Sequence, residues 1–311
     1  MEQHDQRWID ELAGLGYSAV EPLAGGMEGA VYRLGGGTVA KVWGRRDERD
    51  LIGIKEFYDE LADKGLSFAT PRILRIHGSE LGHCTIEEEL PGTPLDQTAP
   101  CVDGDPGPRA RDHVLDVLAE LGAVSPSGGL GRLPVMDESV PFRDSRSDWA
   151  GSLTALIHRR LSRFGPQLDS AVTDLPGKAE RVKRLVRAWG HGRDGLVHGD
   201  LITANILVDE SLRPTAVLDF GFLTTPGDPA FDVAVTASII DMYGPQHRRI
   251  EAAFDEAAIK RFGYPRELLL LYRAVYALIT SNAYDPKGAD GHFRWCVDML
   301  ERDDVVEVLN S

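Results

Sequence analysis

Residues 197–208 read Val197-His198-Gly199-Asp200-Leu201-Ile202-Thr203-Ala204-Asn205-Ile206-Leu207-Val208. An apolar run closes this stretch, so a polar loop opens into a short strand. Asp200 and Asn205 stand five residues apart on that loop. In phosphoryl transfer an aspartate orients or deprotonates the attacking hydroxyl, and an asparagine carbonyl oxygen ligates magnesium. Both roles need one short rigid loop, and this spacing meets them. A His-x-Asp tripeptide alone is an ordinary turn with an Asx cap, so the weight rests on what surrounds it.

Downstream the chain reads Val217-Leu218-Asp219-Phe220-Gly221, with Asp219 fourteen residues past Asn205. An aspartate ending a strand can reach Mg²⁺ that bridges the β and γ phosphates, and Gly221 lets the backbone turn sharply after it. Upstream, Gly25, Gly26 and Gly29 lie between two expected strands, where backbone N–H groups can approach phosphates without a Cβ in the way. Val39-Ala40-Lys41-Val42 then sets a lysine in an apolar strand, the pattern of a lysine that contacts the α and β phosphates. A buried lysine needs a counter-charge. Glu48, Glu56 and Glu60 are available on the following helix, and Glu56, beside Phe57, is expected to face inward.

The rest of the chain supports a two-part α+β protein. Apolar residues recur at helical spacing near Trp8–Tyr17 and over 47–64, and short strands are expected at 30–34, 38–43, 73–77 and 83–90. Five prolines between Pro91 and Pro108 mark a connector, with the boundary after residue 92. Helical patterns then dominate at 109–124, 148–164, 176–189, 231–243, 246–262, 265–284 and 292–300. The expectation is a small antiparallel-sheet lobe with one prominent helix over residues 1–92, and a larger, mainly helical lobe over 93–311.

Composition bounds the partners. Lys and Arg number 34 against 49 Asp and Glu, a net charge of −15. An acidic chain opposes nucleic-acid binding, which needs a basic surface, and permits a cationic ligand. Asp241, Glu251, Asp255, Glu256 and Glu267 are candidate attractants, although Glu251 and Asp255 form a repulsive i, i+4 pair on one helix. No apolar run reaches the roughly 20 residues of a membrane span, and no secretory signal is visible. The three cysteines, Cys84, Cys101 and Cys296, are dispersed and odd in number, which fits reduced thiols in the cytoplasm better than a disulfide framework.

In order along the chain, the glycine loop 25–34, Val-Ala-Lys-Val with Lys41, the Glu56 helix, Glu-Glu-Glu-Leu-Pro-Gly at 87–92, the 198–208 loop, Leu-Asp-Phe-Gly at 218–221 and Gly227-Asp228-Pro229-Ala230-Phe231-Asp232 resemble the aminoglycoside phosphotransferase family. These are antibiotic-kinase relatives of protein kinases and choline kinases. The resemblance implies a bilobal protein-kinase-like fold in which Asp200 is catalytic and Asn205 and Asp219 hold the metal. Lys41 with Glu56 would clamp the phosphates, and backbone groups from Glu88 to Leu90 would hold the adenine. His198, Asp228 and Asp232 would support the catalytic loop, Asp232 by bracing it. The implied cofactors are Mg²⁺ and ATP or GTP.

Two positions depart from the family pattern: Gly29, where Ser or Asn is frequent, and Gly122, near a place where many relatives carry histidine. The acceptor remains open between an aminoglycoside or similar cationic natural product and choline, homoserine, a sugar or a macrolide. A catalytically silent nucleotide-binding module is a third reading, against which Asp200, Asn205, Asp219 and Lys41 are all retained.

Overall fold

The computed structural model describes residues 2–25, 29–44, 46–98, 104–125, 128–143, 147–190 and 194–311, with the backbone only for 2–5. Gly26 and Cys101 lie outside the described residues. Contacts divide the chain into two compact units, one of residues 1–92 with 215–218, the other of 93–214 with 219–311.

The first unit contains α1 (Glu2–Gly14), β1 (Glu21–Gly25), β2 (Gly29–Gly35), β3 (Thr38–Trp43), α2 (Glu48–Ala62), β4 (Ile73–Ser79) and β5 (Gly82–Glu88). The strands form an antiparallel sheet in the order β1-β2-β3-β5-β4. Residues 35–37 turn β2 into β3 with all three φ angles positive, a run that glycine alone adopts cheaply. Period-two alternation sends Ala40 and Val42 to one face, where they meet Tyr32, Leu34, Cys84 and Ile86 beneath Trp8 and Leu12 of α1. Each large side chain buried there contributes about 1.5–3 kcal/mol.

Helix α2 opens on a reciprocal capping box between Asp47 and Asp50 and buries Leu51, Ile54, Phe57, Tyr58 and Leu61. Glu56 is solvent-exposed, which corrects the expected inward orientation. Successive residues on a helix turn by about 100°, so a neighbour of buried Phe57 need not share its face.

The second unit begins with β6 (Thr93–Pro94), α3 (Gly107–Ala123), α4 (Trp149–Asp169), α5 (Leu175–Trp189), β7 (Gly195–Val197) and β8 (Ile206–Val208). The next strand, β9 (Pro214–Val217), is counted with the first unit from Thr215 onward, where Ala69 exchanges hydrogen bonds with Thr215 and Val217 at 2.9 and 3.0 Å. The chain then returns through β10 (Thr225–Gly227), α6 (Pro229–Ile239), α7 (His247–Phe262), α8 (Arg266–Thr280), α9 (Gly291–Glu301) and α10 (Asp303–Leu309).

Helix α8 is buried continuously from Leu269 to Thr280, and α6 from Ala230 to Ile239. Helices that are buried around their whole circumference form the centre of a helical unit, and α8 touches α4, α5, α6, α9 and α10. Both central helices stop short of the spans expected from sequence. A turn from Asp241 to Gly244 follows α6, and the Asn282 amide bonds the Asp285 and Pro286 carbonyls after α8.

The acidic pair of α7 is also resolved differently. Glu251 and Asp255 are buried, and fully buried Arg273 of α8 lies between them, bonding Asp255 Oδ2 at 2.9 Å and Ser238 Oγ at 2.7 Å. Arg302 bonds Glu251 at 2.9 Å. These two carboxylates are internal counter-ions rather than attractants for a ligand. Among the described residues no helix is long and apolar enough to cross a membrane.

Candidate active site

Strands β7 and β10 pair antiparallel, Val197 opposite Thr225 and Gly195 opposite Gly227, and so hold both ends of the segment that carries His198, Asp200 and the 219–224 loop. Gly195 and Gly122 meet there. A Cβ on Gly195 would lie 2.4 Å from the Gly122 carbonyl oxygen, and one on Gly122 would lie 2.9 Å from Pro229. α3, β7 and α6 close on glycine at this point, leaving no room for a histidine at 122.

Immediately after β7, the buried Asp232 carboxylate accepts two backbone hydrogen bonds, from His198 N–H and Gly199 N–H, each at 2.8 Å. Burial pushes its pKa up, opposed by the neighbouring His198 and by these amide bonds. Asp200 N–H donates to His198 Nδ1 at 3.2 Å, so a neutral His198 carries its proton on Nε2. Gly199 takes φ +78°, and a Cβ there would come within 2.4 Å of Leu223 Cβ. The loop then curls through a short 3₁₀ turn, Thr203–Asn205, and Asn205 Nδ2 donates to the Asp200 carbonyl at 2.9 Å. With its nitrogen so used, the amide presents Oδ1 as an acceptor.

The segment bearing Asp219 packs on this loop. Asp219 sits at φ +62°, an uncommon conformation for a residue with a Cβ, and Gly221 at φ +151°. Phe220 lies against the His198 ring at 4.5 Å between centroids. Fully buried Thr224 ties the two segments: its hydroxyl accepts from Gly221 N–H and donates to the His198 carbonyl, both at 2.9 Å.

Asp228 caps α6 through Ala230 N–H at 2.9 Å and accepts the Tyr272 hydroxyl at 2.6 Å. Trp149 Nε1–H in turn donates to Tyr272 at 3.1 Å, and Trp149, Phe231 and Tyr272 pack edge to face. Burial raises the pKa of Asp228, and Gly227 leaves room for the Trp149 ring, which a Cβ would approach within 2.2 Å. Thr224, Tyr272 and Trp149 are site-supporting residues that sequence reasoning missed. The hydroxyl pair Thr224-Thr225, separated from Asp219-Phe220-Gly221 by Phe222 and Leu223, was the one local signal.

Beside Asp200 the second unit presents aromatic surface. Phe222 stacks on Tyr284 at 5.8 Å, Tyr284 meets the His292 ring at 4.8 Å, and the Tyr243 hydroxyl bonds His292 Nδ1 at 3.2 Å. Tyr243 and Tyr284 are exposed. Although most of the Tyr243 ring is exposed, desolvation of its hydroxyl beside His292 pushes the phenol up to about 12, with Cys296, Asp290 and Asp200 adding to it. Burial pulls His292 down to about 4, which keeps it neutral.

The first unit holds the other expected residues. Lys41 stands opposite Val31 and Thr85, its ammonium 4.1 Å from the centre of the Trp43 ring. Gly29 ends its loop at φ +150°, where a Cβ would collide with the Val42 carbonyl, so Ser or Asn does not fit. Gly25 closes β1 and is exposed. Of the 88–90 stretch, Glu88 N–H is bonded to Arg72 and Glu89 N–H to Gly37. The fit to magnesium rests on donor chemistry: Asn205 Oδ1 and the Asp219 carboxylate are hard oxygens of the kind Mg²⁺ takes. Among the described residues no group of three His, Cys, Asp or Glu side chains is placed to hold a metal ion.

A family model described as "Phosphotransferase enzyme family" matches residues 19–270. Among solved structures, the aminoglycoside phosphotransferase APH(3'')-Id from Streptomyces rimosus is 18% identical with a TM-score of 0.57, over 86% of this chain and 95% of that one. The GDP complex of wild-type aminoglycoside 2'-phosphotransferase-IIIa is 16% identical with a TM-score of 0.62, over 99% and 98%. Aminoglycoside-3'-phosphotransferase of type VIII is 20% identical with a TM-score of 0.55, over 88% and 99%. A search of curated proteins finds no match. The likeness establishes the α+β fold, with its antiparallel sheet in the first unit and mainly helical second unit.

Proposed function

This chain belongs to the phosphotransferase enzyme family, and from that premise we propose that it transfers the γ-phosphoryl group of Mg-ATP or GTP to a hydroxyl of an aminoglycoside or similar cationic natural product. The observation that carries the reading is the double clamp on the catalytic loop. Asp232 holds the amides on one side of Asp200, and Asn205 holds the Asp200 carbonyl on the other. A loop fixed at both ends presents one carboxylate in one place, as in-line attack by a hydroxyl requires.

In this mechanism Asp200 orients the acceptor hydroxyl and takes its proton. Asn205 Oδ1 and Asp219 would hold magnesium, which when bound would supply positive charge against the nucleotide phosphates. Lys41, with solvent-exposed Glu56 of α2 as its counter-charge, would contact the α and β phosphates, and the loop of Gly25, Gly26 and Gly29 would cover them. Since the Glu88 and Glu89 amides are committed within the unit, the adenine would be met by the Leu90 N–H. Support for the nucleotide comes from fold relatives solved with ADP and streptomycin, and with GDP. Free, buried Cys84 and Cys296 are compatible with action in the cytoplasm.

One observation favours a second reading, transfer to a less charged acceptor such as a sugar or a macrolide. Glu251 and Asp255 are consumed by Arg273 and Arg302, while exposed Tyr243 and Tyr284 stand near Asp200. ADP release screened against aminoglycosides, choline, homoserine, sugars and macrolides separates the two. The first reading expects turnover with polyamine antibiotics that falls at least about 100-fold in Asp200→Ala with Mg-nucleotide binding retained. Turnover confined to uncharged acceptors would replace it with the second, and undiminished turnover in Asp200→Ala would refute the role of Asp200.

A further inference from the structure

Asp219 and Gly221 both occupy left-handed backbone conformations. A segment with two such positions holds its shape only where its surroundings over-determine it. Three attachments do so: Met136 N–H donates to the Phe222 carbonyl at 2.6 Å, Phe220 lies on His198, and the Thr224 hydroxyl joins Gly221 N–H to the His198 carbonyl. The last differs in kind from the others. One hydroxyl uses its proton toward the catalytic loop and its lone pair toward the Asp219 segment, so a shift of either segment breaks a bond.

We propose that Thr224 is a positioning residue that sets the Asp219 segment in register with the Asp200–Asn205 loop, and thereby the metal affinity of the pair. The inference rests on the phosphoryl-transfer reading above. Thr224 touches neither nucleotide nor acceptor in this role; it acts through Gly221 and His198. Valine is its isostere without the hydroxyl, and serine keeps the hydroxyl without the methyl group, so the two substitutions separate hydrogen bonding from packing.

The test is titration of wild type, Thr224→Val and Thr224→Ser with ADP in the presence and absence of Mg²⁺, alongside amide exchange at Gly221. Removing a supporting partner of a metal ligand typically costs 10–100-fold, so Thr224→Val is expected to cut the enhancement of ADP affinity by Mg²⁺ by about tenfold or more. Metal-free ADP affinity stays unchanged, Thr224→Ser recovers most of the loss, and the Gly221 amide, protected in wild type, exchanges freely in the valine variant. A folded Thr224→Val with the wild-type Mg²⁺ enhancement overturns the inference alone. Should the valine variant fail to fold, unprotected exchange of Gly221 in wild type overturns it, and a protected Gly221 with full retention of the Mg²⁺ enhancement in Thr224→Ser upholds it. A wild-type chain whose ADP affinity ignores Mg²⁺ overturns the phosphoryl-transfer reading and this inference together.

Discussion

The Asp232 carboxylate accepts hydrogen bonds from the backbone of His198, 34 residues away in sequence, and with its other oxygen from Gly199. A side chain in the first turn of α6 thereby substitutes for the strand neighbour that the end of β7 lacks. Asp232→Asn keeps one acceptor and turns an N–H₂ toward the second amide. Two charge-assisted bonds in a buried setting are at stake, so a loss of roughly 2 to 4 kcal/mol is expected. Chemical denaturation followed by tryptophan fluorescence checks this, and a loss under 1 kcal/mol would contradict the brace.

Gly199 and Leu223 should be energetically coupled. Gly199→Ala adds a methyl group where Leu223 Cβ already stands and places it on a left-handed residue. Backbone conformation and overpacking together cost roughly 2 to 4 kcal/mol. Leu223→Gly should restore part of that loss in the double variant, because it removes the nearest colliding atom but neither the residue 223 carbonyl, 2.9 Å from the added methyl, nor the backbone cost. Strict additivity in the double-mutant cycle would show that the contact is not felt.

His292 makes stability depend on pH. The Thr280 hydroxyl donates to the Tyr276 carbonyl, so it accepts from His292 Nε2–H, and Nδ1 accepts from Tyr243. Both ring nitrogens are then matched to the neutral form, with Cys296 also alongside. The unfolded chain binds the proton near 6.5, whereas burial delays this to about 4 in the folded state. Stability from this residue is therefore complete above pH 6.5 and drains away as pH falls toward 4, by about 3 kcal/mol in all. Denaturation midpoints at pH 7, 6 and 5 should fall less steeply for His292→Gln than for wild type; identical slopes would exclude the effect.

What the sequence made legible was local. The helical period over 47–64 and the short strands expected at 30–34 and 38–43 each act within a few residues, and each lies where its pattern says. Asp232 was readable as a brace only through the family resemblance. Tyr272 on Asp228 was not readable at all, since that bond spans 44 residues and no spacing encodes it. β7 and β10 are three residues each, too short for alternation to register. The face of Glu56 was misjudged by adjacency, and the α7 carboxylates looked solvated because their partner Arg273 comes from another helix.

The strand at 214–217 has a consequence for how the chain can be divided. Ala69 finds its backbone partners in Thr215 and Val217, more than a hundred residues downstream and after the 198–208 loop. A gene truncated after Gly92 would thus encode a sheet unit in which Ala69 lacks its backbone partners, while the remainder would lose the Ala69 bonds of Thr215 and Val217. Evolution can exchange these halves between relatives only by cutting in three places.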